Sequence, residues 1–379
     1  MMMNKSVGNT ELIKRINRSL VLERIRSAQP ISRAQIAKEL TLSKSTVSII
    51  VDELLTRKLV FEVGAGSSTK EGGRRGSLLG FNPRSAFGVG VDIGGTKILT
   101  IITDLDGAIV FKEKTKTTNK VEEIVEIIKG CLQKAGIEEK DVIAMGVGVP
   151  GTADIDNGVV LGSTQLQWTK FPIKKHLQSH FPFPVFINND VNCAALGERW
   201  LGAGGQSNHM FFMSIGTGVG SAIISHGNLL YGHNYQAGEV CFQISEDDIK
   251  NNRLNLMDDY GVFEKKVSGT GLSKHGFTSE EIFVEYSKGN EQVIPIIKDF
   301  ILQLSIVIAN VVSLLNPEKV VIGGGVSESM DIVIESIRDT VRQLTPIKTS
   351  IELASLGIDA GALGAIAYAF QEVEENDLL

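Results

Sequence analysis

Two stretches of the chain, FGVGVDIGGTKILTIITDLDG from Phe87 and FFMSIGTGVGSAIISHGNLL from Phe211, follow one plan of strand, glycine-rich turn and strand. Strand-forming runs broken by tight turns predict antiparallel series in both places. After the first comes a helical pattern, VEEIVEIIKGCLQKAG, and a buried strand, VIAMGVGVPG. Near the C-terminus, ILQLSIVIANVVSLLNPEKVVIGGG runs helix, turn, strand and glycine loop. The two halves do not align residue for residue, so a duplicated α/β architecture is inferred from layout alone.

The glycine turns bear on chemistry as well as on fold. Successive backbone N–H groups in a tight turn form an anion nest, and glycine lets a phosphate approach the backbone closely. Gly94, Gly95, Thr96 and Lys97 add a hydroxyl and an ammonium group to such a turn, and Gly216, Thr217 and Gly218 make a second one. Gly323, Gly324 and Gly325 follow a strand and suit the underside of an adenine or ribose. Any one of these turns alone is as readily just a turn; as a set they point to nucleotide binding.

The first 80 residues differ in character. They hold 14 Lys and Arg against 7 Asp and Glu, whereas the whole chain has a net charge of −6. A basic head on an acidic body suggests a polyanionic partner, although a solvated charged surface would look the same. Three helical patterns lie in this head. Ile13, Ile16, Leu20 and Ile25 mark an apolar stripe on the first. In ISRAQIAKEL, Ser32 and Gln35 have capping-box spacing. In LSKSTVSIIVDELLTRK, Ser43 is the expected cap, and Val47, Ile50, Val51, Leu54 and Leu55 form the buried face. A short turn at Leu40–Leu42 completes a helix-turn-helix plan, and LVFEVGAGSSTKEGGRRGSLLGFN reads as a wing. Lys44, Ser45, Thr46 and Ser48 then face the DNA, with Arg74 and Arg75 placed to enter a minor groove. The plainer alternative is a three-helix bundle with a polar face.

No apolar run approaches the ~18 residues that span a bilayer. MMMNKSVGNTELIKR lacks the apolar core of a signal peptide, and the three cysteines are scattered rather than paired in a framework. A cytoplasmic protein with no membrane partner is expected.

Together the motifs resemble the ROK family of bacterial sugar kinases and repressors, and within it the xylose-repressor kind with an N-terminal winged helix. The carriers are LSKSTVSIIVDELLTRKLVFEVGAG, GGRR, GVDIGGTK, GVGVPGTADIDNGVV, INNDVNCAALGE, MSIGTGVGSAI, AGEV and NPEKVVIGGGVS, which span nearly the whole chain. The resemblance implies a winged helix-turn-helix over residues 1–82. It also implies an actin-like, ribonuclease H-like α/β fold in two subdomains, 83–200 and 201–379, with sugar in the cleft between them. It makes Asn189 and Asp190 a sugar-contacting pair, with Asp190 the general base of kinase members, and Glu239 and Glu264 further hydroxyl-binding carboxylates. On residue type alone each of these acids would be a solvated charge or a helix cap. Family members commonly carry a structural zinc motif. Here Cys241 and Phe242 replace its Gly-His, and Asn255, Met257 and Val262 replace its cysteines, so structural zinc is not expected. Gln165 of STQLQW also departs from the asparagine many members carry, so the identity of the sugar does not transfer.

The expected function is a sugar-responsive transcriptional repressor of carbohydrate-use genes. It would bind operator DNA as a homodimer or higher oligomer without a cofactor, and release it when xylose or another aldose binds. The alternative is a sugar kinase with a DNA-binding arm, using ATP with magnesium.

Overall fold

The computed structural model describes residues 10–65, 77–256 and 261–375, which form two compact units. The first comprises Met1–Phe87 with the turn Asp104–Ala108 and the C-terminal residues from Glu374. It starts with α1 (Thr10–Ala28), a two-residue strand β1 (Ile31–Ser32), α2 (Arg33–Glu39) and α3 (Lys44–Thr56). The Ser32 hydroxyl accepts the Gln35 N–H while the Gln35 side chain accepts the Ser32 N–H, so α2 starts on a complete capping box. Thr41, in the left-handed region at φ 56°, turns the chain between α2 and α3, and the Ser43 hydroxyl accepts the Thr46 N–H at 3.0 Å. β2 (Val60–Ala65) and β3 (Ser77–Phe81) pair antiparallel, with β1 on the other edge of β3. The loop carrying Arg74 and Arg75 lies outside the described residues.

Val47, Ile50, Val51 and Leu54 of α3 are buried with Ile36, Leu79 and Phe81. The stripe expected on α1 is corrected: Ile13, Ile16 and Leu20 are exposed, whereas Val21 and Ile25 reach the core. A helical face drawn through Ile25 passes through Leu22, Val21 and Arg18. The Ile13–Ile16–Leu20 row lies about 155° around the helix from it, on nearly the opposite side.

The second unit opens with β4 (Phe87–Ile93), β5 (Lys97–Asp104) and β6 (Ile109–Lys116). Next come α4 (Val121–Ala135), ended by Gly136 at φ 69°, and β7 (Val142–Val149). A small antiparallel sheet of β8 (Thr152–Asp154), β9 (Val159–Ser163) and β10 (Trp168–Phe171) follows. Then come α5 (Ile173–Gln178), β11 (Val185–Asn189) and α6 (Asp190–Leu201). The later half has β12 (Met210–Ile215), β13 (Val219–Ser225) and β14 (Asn228–Leu229). Four short helices succeed them: α7 (Glu246–Lys250), α8 (Glu264–Val267), α9 (Gly269–Ser273) and α10 (Ser279–Ser287). The chain ends with α11 (Ile294–Leu315), β15 (Lys319–Gly323), α12 (Ile334–Leu344), β16 (Ser350–Leu353) and α13 (Ala360–Glu375).

One sheet runs β11-β7-β4-β5-β6 and the other β16-β15-β12-β13-β14. Numbered in chain order within each half, both read 5-4-1-2-3. The repeat that layout suggested is therefore a repeat of topology. Each sheet joins an antiparallel hairpin to parallel strands: β5–β6 and β7–β11 lie on either side of β4, and β12–β13 adjoins β12–β15–β16.

Helix α11 corrects one sequence expectation. It is long and apolar enough to cross a membrane, although Lys298 and Asp299 interrupt its apolar run. Ile297, Phe300, Leu304, Ile308 and Val312 bury one face in the core of the second half, so this length and composition serve packing. Helix α13 lies backbone to backbone on the first half. A β-carbon on Gly146 of β7 would fall 1.8 Å from the Ala365 carbonyl oxygen, and one on Gly364 1.6 Å from that of Cys193.

Candidate functional site

Strand β4 ends in Asp92 and Ile93 and delivers the Gly94–Lys97 turn. β11 ends in Asn189, and α6 starts at Asp190. These strand ends meet Phe212 and Ser214 of β12 and the glycines after β15 in one cleft of about 420 Å³. Asp92, Gly94, Lys97, Asp190, Gly323, Gly324 and Gly325 all line it. A β-carbon on Gly148 would lie 3.6 Å from both the Asp92 Oδ1 and the Asp190 Cα, so the two acids converge on one glycine, and the charge of Asp92 is felt at the Asp190 carboxyl.

Their protonation follows from that convergence. Burial, with the negative charge of Asp92 adding to it, pushes the Asp190 carboxyl up to about 7. Burial raises Asp92 to about 6 against the opposing pull of the Lys97 ammonium. A carboxyl that titrates near neutrality suits proton transfer from a hydroxyl. Asp92 went unassigned in the sequence, although it stands at a strand end directly before the glycine turn. Nothing local in the sequence reveals that Asp190 faces it.

The remaining predicted residues divide. Asn189 Oδ1 caps α6 by accepting the N–H groups of Val191 at 2.9 Å and Asn192 at 3.1 Å, while its amide donates to the Gly151 carbonyl at 2.8 Å. Gly95 and Thr96 do not line the cleft, and the Gln165 side chain sits over Gly95, 2.7 Å from where a β-carbon would stand. The turn Gly216, Thr217 and Gly218 also stays off the cleft wall, but a β-carbon on Gly216 would be 3.9 Å from the Gly325 nitrogen. Gly324 is at φ 86°, where a side chain would meet the Ile215 carbonyl oxygen at 2.5 Å.

The two glutamates lie outside the cleft lining. Glu264 Oε1 accepts the Val219 N–H at 2.9 Å and Oε2 the Gly261 N–H at 3.1 Å, so this carboxylate braces the second glycine hairpin. Glu239 is exposed and accepts the Cys241 thiol at 3.3 Å. Burial pushes that thiol well above its ordinary range.

The positions read as departures from a zinc motif have other partners. Asn255 donates to the Phe242 carbonyl at 2.6 Å and accepts the Val262 N–H at 2.9 Å, while the Cys241 and Val262 side chains are buried. Met257 lies outside the described residues. Among the described residues, no three His, Cys, Asp or Glu side chains cluster as a metal group. Magnesium bound with a nucleotide needs only one or two carboxylates beside the phosphates, and Asp92 and Asp190 fit that need.

On α3, Lys44 and Ser45 are exposed, and Thr46 and Ser48 are half-buried. The Ser45 and Thr46 hydroxyls lie 2.8 Å and 2.7 Å from the Ser43 hydroxyl, and Ser48 accepts from Arg33 at 3.3 Å.

Two sheets of one strand order lining a common cleft define an α/β fold of the sugar-kinase class. The chain belongs to the ROK family, whose sequence pattern matches residues 88–372. It is 30% identical to the xylose repressor of Caldicellulosiruptor bescii, over 97% of this chain and 98% of that one. It is 31% identical to a glucokinase of Halalkalibacterium halodurans, over 73% of this chain and 92% of that one. A solved ROK family transcriptional regulator, a homologue of the E. coli MLC protein, superposes with a TM-score of 0.81. That structure is 22% identical and covers 97% of this chain and 98% of its own.

Proposed function

We propose that the protein is a sugar-responsive transcriptional repressor of carbohydrate-use genes. In this reading the first unit is a winged helix-turn-helix, and the second is a duplicated actin-like, ribonuclease H-like effector domain. The observation that carries the reading is helix α3. Its apolar side is buried under a helix and a sheet, and its capped N-terminal end turns Lys44 and Ser45 to solvent. A full-length likeness to a xylose repressor supports the same reading. Two such heads in a homodimer match a two-fold operator.

An aldose, with xylose the first candidate, enters the cleft beside Asp190 and Asn189. It favours one arrangement of the two halves and so lowers DNA affinity by its differential affinity for that arrangement. Neither zinc nor another cofactor is needed for DNA binding, and the protein works in the cytoplasm. The test is a mobility shift on its own upstream region, titrated with aldoses. A retarded band that xylose or another aldose releases is expected. Absence of binding to any upstream fragment at low salt would sink the proposal.

A second reading has its own observation. Asp190, with its raised pKa, shares the cleft with Gly94, Lys97 and Gly323–Gly325, an arrangement suited to ATP-dependent phosphorylation of a sugar hydroxyl. Turnover of an aldose with ATP and magnesium, abolished in Asp190→Asn, would establish it.

A further inference from the structure

Ile49 is the sixth residue of α3 and is 69% exposed, the most exposed large apolar side chain among the described residues of the first unit. A lone exposed isoleucine calls for no explanation on an arbitrary surface. This one stands on the face of α3 opposite the core, one turn beyond Ser45 and one turn before Asp52, both exposed. It lies about 7.5 Å along the helix axis from Lys44, within the stretch of a recognition helix that meets base edges.

The polar neighbours on this face are engaged within the protein. The Ser45 and Thr46 hydroxyls are drawn to Ser43 at the cap. Ser48 accepts from Arg33, and Asp52 pairs with the same Arg33 at 2.7 Å. These contacts hold the surface in one shape and neutralise Asp52, an acid that would repel phosphate there. They also occupy groups that would otherwise read bases. What remains projecting is a branched apolar side chain in a head with 14 basic against 7 acidic residues. In the major groove one base-pair feature is apolar, the C5 methyl group of thymine.

We propose that Ile49 reads a thymine methyl group in the operator and so sets base preference at one position of each half-site. The assignment rests on the DNA-binding reading of the first unit, and the experiment separates the two. Full-length wild type and Ile49→Ser are each used to select binding sites from a randomised duplex pool, and the wild-type consensus is resynthesised with deoxyuridine for each thymine in turn.

One position per half-site is expected at which deoxyuridine weakens wild-type binding about fourfold, the value of one buried methyl group. Ile49→Ser should lose the thymine preference at that position, keep the rest of the consensus and show no deoxyuridine effect there. Ile49→Val, which keeps the branched β-carbon, should retain part of the discrimination and guards against a folding defect in the serine variant. Equal deoxyuridine sensitivity in wild type and Ile49→Ser overturns the assignment. So does an unchanged consensus accompanied by dimer dissociation, which would make Ile49 a subunit contact. If wild type selects no sequence at all, the DNA-binding reading itself falls.

Discussion

Asp190 illustrates how one side chain can be costly for the fold and useful to the site. Its carboxyl is pushed up to about 7, chiefly by burial and then by the charge of Asp92, from an ordinary value of about 4. Between those values the native state holds more protons than the unfolded chain, so stability falls as pH rises through the window. Asn at this position cannot ionise and keeps the shape. Asp190→Asn should therefore melt higher than wild type at pH 8, with the gap closing towards pH 4. Thermal melts across that range check it, and a gap independent of pH would contradict it. Asn189 acts differently: its side chain is bound to the start of α6 and to Gly151, so it shapes the cleft wall by fixing that helix.

At the scale of elements, α7 is tied to Arg253 and to α8 by polar side chains. Asp248 has a side chain only 1% exposed and pairs with Lys266 at 2.7 Å and Arg253 at 2.9 Å. Burial opposes its charge, yet Lys266 and Ser245 hold its carboxyl well below the usual range. A depressed carboxyl stabilises the fold above its unfolded value near pH 4 and loses that contribution as pH falls through the folded value. Asp248→Asn should cost about 2 kcal/mol at pH 7, read by urea unfolding, and less on acidification. Chelation with EDTA should leave the wild-type melting temperature unchanged; a fall would point to a bound metal. Helix starts were the most legible elements. Ser32 and Ser43 cap α2 and α3 as their spacing predicts, because a cap depends on residues within one turn. The α1 stripe was misread because four apolar residues define more than one face until a neighbour chooses one. The short helices α7–α10 and the small β8–β10 sheet carry no strong period and escaped reading.

For the whole molecule, the proposed coupling between sugar and DNA is constrained by linkage. If a sugar weakens operator binding by some factor, the operator must weaken sugar binding by the same factor. Titrating the inducing sugar by calorimetry with and without the selected duplex should return that shared factor, and unequal factors would reject a two-site equilibrium. The repeat of strand order in the two sheets gives such coupling a physical basis, since ligands held by strand ends of both halves respond to their relative placement.

The sequence by itself determined the order of the principal strands and helices, the basic head, the family and the glycine turns, because these depend on neighbours along the chain and on ordered motifs. Tertiary structure alone decided what each turn and acid does. It set Asp92 against Asp190 and gave both Glu264 oxygens to backbone N–H groups. It brought Gly94 and Gly323–Gly325 to one cleft and kept Gly95 beneath Gln165. It also turned Ile49 outward. Each of these depends on residues far apart in the chain, and burial, which shifts a carboxyl or strands an apolar side chain in water, exists only once the chain has packed.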